Sequence, residues 1–229
     1  MSERDDELAA LAALAEPLRR RLYLHVSAQG APVSREEAAA ALGVARSVAA
    51  FHLDKLAELG LLEVEYRRPP GRSGPGAGRP AKLYRRSTKE VSFSAPERHY
   101  DVVASLLAQA LLDACEHDLP PAEALAEVAR DYGRAIGTEA RANGRVSRRR
   151  LLGRVAEVLA AHGYEPHLEG GVVTLCNCPF HAIAEKHRDL VCAMNVEMVA
   201  GLIEGLGVSG AAALLDPAPG RCCVTVRAS

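Results

Sequence analysis

The 229-residue chain lacks any apolar run of the roughly 18 residues needed to span a bilayer. Its opening, MSERDDELAALAALAEPLRR, carries acids where a secretory leader carries basic residues, so the expected compartment is cytoplasmic, with no membrane partner. Equally missing are a phosphate-binding P-loop, a GxGxxG dinucleotide fingerprint and an HExxH metal-protease segment. Cys178 and His181 lie three residues apart, yet no acid is placed to orient the histidine, so no nucleophilic triad is legible and an enzyme is not expected. A CxxC knuckle is absent too, which argues against a simple structural zinc. Net charge is nearly absent as well, at -1.

With 48% hydrophobic and 25% charged residues, the chain has the composition of a soluble globular protein of one large or two small domains. The near-zero charge hides an asymmetry. Between Arg67 and Lys89 lie eight Lys or Arg and no acid, a local basic patch suited to nucleic acid. Five of the six cysteines fall in the last quarter. In a reducing compartment such a cluster reads as metal ligands or redox-active thiols before structural disulfides.

Residues 7–29 have leucines and alanines at helical spacing, with Pro17 opening a second helical piece. Ser34 and Glu37 form a capping-box pattern ahead of a helix over 35–41, and Gly43 supplies a tight turn. A longer helix is predicted over 45–59, with Val44, Val48, Phe51 or His52, and Leu56 spaced to pack, and Gly60 ending it. Two helices around a glycine turn make a helix-turn-helix pattern, whose second helix enters the major groove. EVEYRR, the Gly/Pro-rich PPGRSGPGAGRPA and KLYRR then read as a hairpin with a long basic tip, the wing of a winged helix.

On the recognition helix, Arg46, Ser47, Ala49, Ala50 and Lys55 read as outward, with His52 near the edge. Arg46 and Ser47 sit where base edges are met, Ala49 and Ala50 allow close approach or contact with thymine methyls, and His52 and Lys55 suit phosphates. In the wing, Arg72 and Arg79 reach from the tip toward phosphates or a narrow minor groove, flanked by Arg67, Arg68, Lys82, Arg85 and Arg86. GVARSVAAFHLDKLAELGLLEV followed by GRPAKLY resembles the winged-helix domain of ArsR-like bacterial transcription regulators, in the branch with Gly78-Arg79-Pro80 and Tyr84 in the wing. The resemblance covers about residues 8–90 and implies a homodimer on a pseudopalindromic double-stranded DNA operator.

From Ser94 the pattern changes. Residues 97–118 predict a long helix with apolar residues around much of its circumference, as burial from both sides at a dimer interface requires. Helices over 122–140 and 147–162, a hairpin around Gly170-Gly171, a helix over 183–206 and strands over 210–216 and 222–227 follow. The expected fold is α+β: an N-terminal winged helix-turn-helix over 1–92, then a helical dimerisation region and a small α+β sensor domain over 93–229.

Within LCNCPFH, period-two geometry places Cys176 and Cys178 on opposite faces of a strand, and the same objection separates Cys222 from Cys223. Cys178, Cys192 and one of the last pair remain as a trio, with Cys222 preferred because it follows the Pro219-Gly220 turn. His181 completes a Cys3His zinc set, or stands beside the ligands, or begins a helix, while Cys223 and Cys176 are further candidates. A cluster on three cysteines and a labile fourth ligand fits the trio equally. Cys115, inside the long apolar helix, reads as a buried small hydrophobe.

NCPFH, LVCAMN and LDPAPGRCC resemble the sensor domain of the iron–sulfur-dependent, SufR-like repressors of cluster-assembly operons. The resemblance implies an iron–sulfur cluster, 4Fe-4S or 2Fe-2S, on Cys178, Cys192 and Cys222, and a repressor responsive to redox or iron status. Gaps of 13 and 29 residues between these ligands are slightly longer than in the best-known members, leaving the cluster type open. The alternatives are a winged-helix regulator with a zinc, haem or thiol–disulfide site, and a structural DNA-binding protein that senses nothing.

Overall fold

The structure, a computed structural model, describes residues 3–67, 80–142, 150–207 and 209–228. It divides into two compact units, Met1–Phe93 and Ser94–Ser229.

In the first unit, α1 (Glu3–Ala13), α2 (Pro17–Ser27), β1 (Val33–Ser34), α3 (Arg35–Leu42), α4 (Arg46–Glu58), β2 (Leu62–Arg67) and β3 (Ala81–Arg86) form a winged helix-turn-helix. The starts and stops are local chemistry. Glu16 accepts from the backbone N–H of Leu18 at 3.0 Å and of Arg19 at 2.6 Å, capping α2 where Pro17 has no donor to lose. Ser34 and Glu37 exchange hydrogen bonds of 3.2 and 2.7 Å across the start of α3, completing the capping box. Gly43 ends α3 at φ +68°, a left-handed conformation open to glycine without penalty. The antiparallel sheet runs β1-β3-β2, and the core gathers Leu22, Val26, Ala38, Ala49, Leu53, Leu56 and Tyr84.

This core corrects the expected packing of the 45–59 helix. The face turned inward is Ala49, Leu53 and Leu56, all 0% exposed, whereas Val48 is 40% and Phe51 64% exposed. Ala49 is therefore not an outward residue. An i, i+4, i+7 set beginning at Ala49 packs against α2 and α3, which rotates the buried stripe one residue from the expected one.

The second unit holds α5 (Tyr100–His117), α6 (Pro121–Ala142), α7 (Leu151–Ala160), β4 (Pro166–Glu169), β5 (Val172–Leu175), α8 (His181–Lys186), α9 (Arg188–Gly205), β6 (Ala211–Leu215) and β7 (Val224–Ala228). Its antiparallel sheet runs β4-β5-β7-β6. Gly170 and Gly171, at φ +57° and +80°, make the two-residue turn of the β4–β5 hairpin, where both central positions need positive φ. The helix expected over 183–206 is instead two, divided at His187.

α6 and α9 are clasped through glycines. A Cβ on Gly133 or Gly137 of α6 would collide with the carbonyl oxygen of Met198 or Leu202, and one on Gly201 or Gly205 of α9 with that of Arg130 or Arg134. Such GxxxG pairs let two backbones touch. Ion pairs lace the rim: Arg130 to Glu197 and to Glu204, both at 2.6 Å, and Arg134 to Glu204 at 3.1 Å.

On α5, Val103, Leu106, Ala110 and Ala114 are buried, while Leu107, Leu111 and Leu112 are exposed. Cys115 is exposed as well, which corrects its expected burial: it shares the outward side of α5 with Leu111 and Leu112.

Candidate functional site

Among the described residues, two places gather the candidate side chains. On the outer side of α4, Arg46 and Ser47 are exposed at the helix start, Ala50 is half-buried, and His52 and Lys55 are half-buried. Arg46 pairs with Glu36 at 2.5 Å and Lys55 with Glu58 at 3.1 Å. Such surface pairs are worth at most about 1 kcal/mol and exchange readily for a phosphate partner. His52 accepts from Arg19 Nε at 3.4 Å and lies 3.6 Å from Glu16. Arg67 is exposed at the end of β2, paired with Glu65 at 2.7 Å. Arg68, Arg72 and Arg79 lie outside the described residues.

Lys82 is engaged within the unit: its ammonium pairs with Asp54 of α4, to which the Tyr84 hydroxyl also donates at 2.6 Å. Burial pushes the Asp54 carboxyl up, but the hydrogen bonds from Lys82 and Tyr84 outweigh it and hold the group below the usual carboxylate range. Burial, with Asp54 beside it, pushes the Tyr84 phenol well up. The Lys-Leu-Tyr of the wing strand thus fastens β3 to the recognition helix. Asp54 was not singled out from the sequence, because its partners lie about 30 residues away.

The second place is a cavity of about 570 Å³ in the C-terminal unit, lined by Cys176, Cys178, Cys192, Cys222 and Cys223 together with His181 and Arg98. Register explains the convergence. β5 and β7 are neighbours with Thr174 opposite Thr225, so the residues following β5 and those preceding β7 emerge at the same sheet end. β5 stops at Leu175 and β7 starts at Val224, so both cysteine pairs lie beyond the strands. Strand alternation therefore does not separate Cys176 from Cys178 or Cys222 from Cys223, and both members of each pair line the cavity, contrary to expectation. The Cys222 N–H donates to Leu175 O at 2.8 Å, and the Asp216 N–H donates to Cys223 O at 2.7 Å.

Cys192 of α9 is bridged to Cys223, with Cα atoms 6.3 Å apart across a sequence separation of 31. Cys178 and Cys222 are free thiols hydrogen-bonded to each other. The Cys178 thiol donates, which pushes its own titration up, a direction burial reinforces. Cys222 receives that bond, which outweighs burial and lowers its titration, helped by the backbone N–H groups of Val224 and Cys223 and by Asn195. Asn195 Nδ2 donates to Cys222 Sγ at 3.3 Å, and its Oδ1 accepts from the Tyr164 hydroxyl at 2.5 Å. Both residues are buried, at 1% and 3% exposed, so this polar chain crosses the core.

Asn177 plays a comparable part for the loop: its Nδ2 donates to Gly163 O at 2.6 Å and Glu97 O at 3.0 Å, while Arg98 donates to its Oδ1 and, at 3.1 Å, to Cys178 O. Asn177, Asn195 and Tyr164 join this site although no motif marks them in the sequence. A signal existed for Asn195, a polar residue one helical turn after Cys192 on the same side of the helix. His181 is exposed on the cavity rim, its Nε2 3.4 Å from Glu185.

Among the described residues, no group of three or more His, Cys, Asp or Glu side chains stands ready to hold a metal ion. A disulfide sulfur is not a thiolate ligand, so Cys192 and Cys223 could serve a metal or cluster only after the bridge is reduced. Reduction frees Cys192 and Cys223 beside Cys178 and Cys222. No described helix is long and apolar enough to cross a membrane.

A helix-turn-helix domain family model matches residues 14–65, which run from the end of α1 into β2. No curated protein and no solved structure matches the chain. The N-terminal unit thus carries a winged helix-turn-helix DNA-binding domain, a regulatory module and not a catalytic fold.

Proposed function

We propose that this DNA-binding protein is a homodimeric transcription repressor, acting in the cytoplasm, whose operator affinity responds to an iron–sulfur cluster, 2Fe-2S or 4Fe-4S, held by Cys178, Cys192 and Cys222. The observation that carries the reading is the convergence of five cysteines from three chain segments on one cavity. Exposed Leu107, Leu111 and Leu112 on α5 support a second copy as partner. A bound cluster supplies oxidant-sensitive iron–thiolate bonds. The chain's own residues do the rest. Asn195 and the N–H groups at 223 and 224 stabilise negative charge on Cys222, and Arg98 holds the loop bearing Cys178. Cys192 rides on α9, which the glycine clasp locks to α6, so a displacement at Cys192 moves two helices together.

The bridge between Cys192 and Cys223 favours a second reading, a thiol–disulfide sensor. Closing it takes two electrons and two protons from the two thiols to an external oxidant, such as a low-molecular-weight disulfide. Zinc or haem on the reduced cysteines is the third reading. Anaerobic purification separates the three. Iron, labile sulfide and broad absorption near about 420 nm support the cluster. A colourless protein with one zinc, or one that holds no metal and gains and loses DNA affinity with the bridge, sinks it.

A further inference from the structure

The side of α4 turned away from the core is more apolar than a solvated helix face. Ser47, Val48, Phe51 and Lys55 form one stripe at i, i+3 and i+4 spacing, and its centre is Phe51 at 64% exposed with Val48 at 40%. The inward face is complete without them, since Ala49, Leu53 and Leu56 are fully buried. Phe51 is also braced. Its ring meets that of His52 edge-on, centroids 5.2 Å apart at 71°, and His52 is itself held by Arg19 at 3.4 Å.

The stripe begins at Arg46 and Ser47 and ends at Lys55, placing cationic groups at both ends of an apolar centre on the second helix of a helix-turn-helix. That order of charge suits a helix lying between two phosphate rows in the major groove. Phe and Val have no donor or acceptor, so they read none of the hydrogen-bonding groups on base edges. One base offers an apolar group there: thymine, through its C5-methyl. We infer that Phe51, with Val48 beside it, reads thymine methyl groups in the major groove and so selects T·A pairs in the operator. Arg46 and Lys55 then supply sequence-independent phosphate contacts.

The inference rests on the DNA-binding reading, and its test separates the two. Duplexes are selected from a random pool by the full-length protein, then remade with deoxyuridine in place of thymidine, a change that removes only the methyl. The native protein is expected to lose about fourfold in affinity for each thymine contacted, the worth of burying one methyl group. Phe51→Ala is expected to bind the thymine duplex more weakly and to lose most of the thymine-to-uracil ratio, with thermal unfolding unchanged because the ring is exposed. Val48→Ala should lose the smaller part. Equal binding of both duplexes by the native protein overturns the inference, including the case in which Phe51→Ala weakens both alike, as a ring wedged between base pairs would produce. So does a Phe51→Ala variant that keeps the full ratio. A pool from which no duplex is enriched overturns the DNA-binding reading itself.

Discussion

The two units are built by different means. In Met1–Phe93 the elements start and stop on neighbouring residues: Glu16 with Pro17, Ser34 with Glu37, and Gly43 at φ +68°. In Ser94–Ser229 the decisive contacts join distant segments: Gly133 and Gly137 against Gly201 and Gly205, Asn195 against Cys222, and Cys192 against Cys223. Local punctuation makes the elements of the recognition unit readable from sequence. The cavity that would govern it depends on register and helix approach, which no short stretch encodes.

Alanine at one glycine of each unit puts this contrast to its sharpest test. At Gly201 the added Cβ meets the Arg130 carbonyl, a backbone atom that moves only if α6 moves. Gly201→Ala is expected to cost about 3 kcal/mol, the upper range of overpacking, seen by urea unfolding of the C-terminal unit. At Gly43 there is open space within 4 Å, and the cost is only that of a left-handed alanine, about 1 kcal/mol. Equal losses at the two sites would erase the distinction.

How far each part was legible follows from the same physics. The α+β class, the winged helix-turn-helix and most element ends were readable because caps, glycine turns and apolar periods are local. The face of α4 was missed by one residue, since Val48 and Phe51 are as apolar as the residues that pack. Only the positions of α2 and α3 decide that Ala49, Leu53 and Leu56 turn inward. Period-two reasoning failed at the cysteines for another reason: β5 ends at Leu175 and β7 begins at Val224, so the rule was applied just past the strands. The glycine clasp went unread because GxxxG spacing in two helices says nothing of whether they meet.

A smaller effect is expected along the buried polar chain. Tyr164→Phe removes the donor to Asn195 Oδ1 and leaves that oxygen buried without its partner, at a cost of about 1–2 kcal/mol in unfolding experiments. Asn195 then turns more freely, so the native preference for the Cys192–Cys223 bridge over other pairings should weaken in peptide mapping of protein oxidised by a low-molecular-weight disulfide. An unchanged disulfide pattern would show that the backbone alone holds Cys222 in place.

The smallest expected effect belongs to the N-terminal unit, at a non-local contact that ties α4 to β3. Asp54 receives Lys82 and the Tyr84 hydroxyl, and its carboxyl titrates below its ordinary value in the folded unit. A group lowered on folding contributes stability that is fully present above its unfolded value, about 3.9, and lost as pH falls through the folded value. Acid should therefore weaken the clamp between α4 and β3 only below about pH 4. Because Asp54 is 39% exposed, solvent screening keeps the contribution small, within about 1 kcal/mol. Asp54→Asn should lower stability slightly near neutrality and flatten its acid dependence, followed by circular dichroism of the Met1–Phe93 unit in the full chain. An acid limb as steep in Asp54→Asn as in the native protein would assign that limb to other carboxylates, and leave the wing strand fastened to the recognition helix by Tyr84 packing alone.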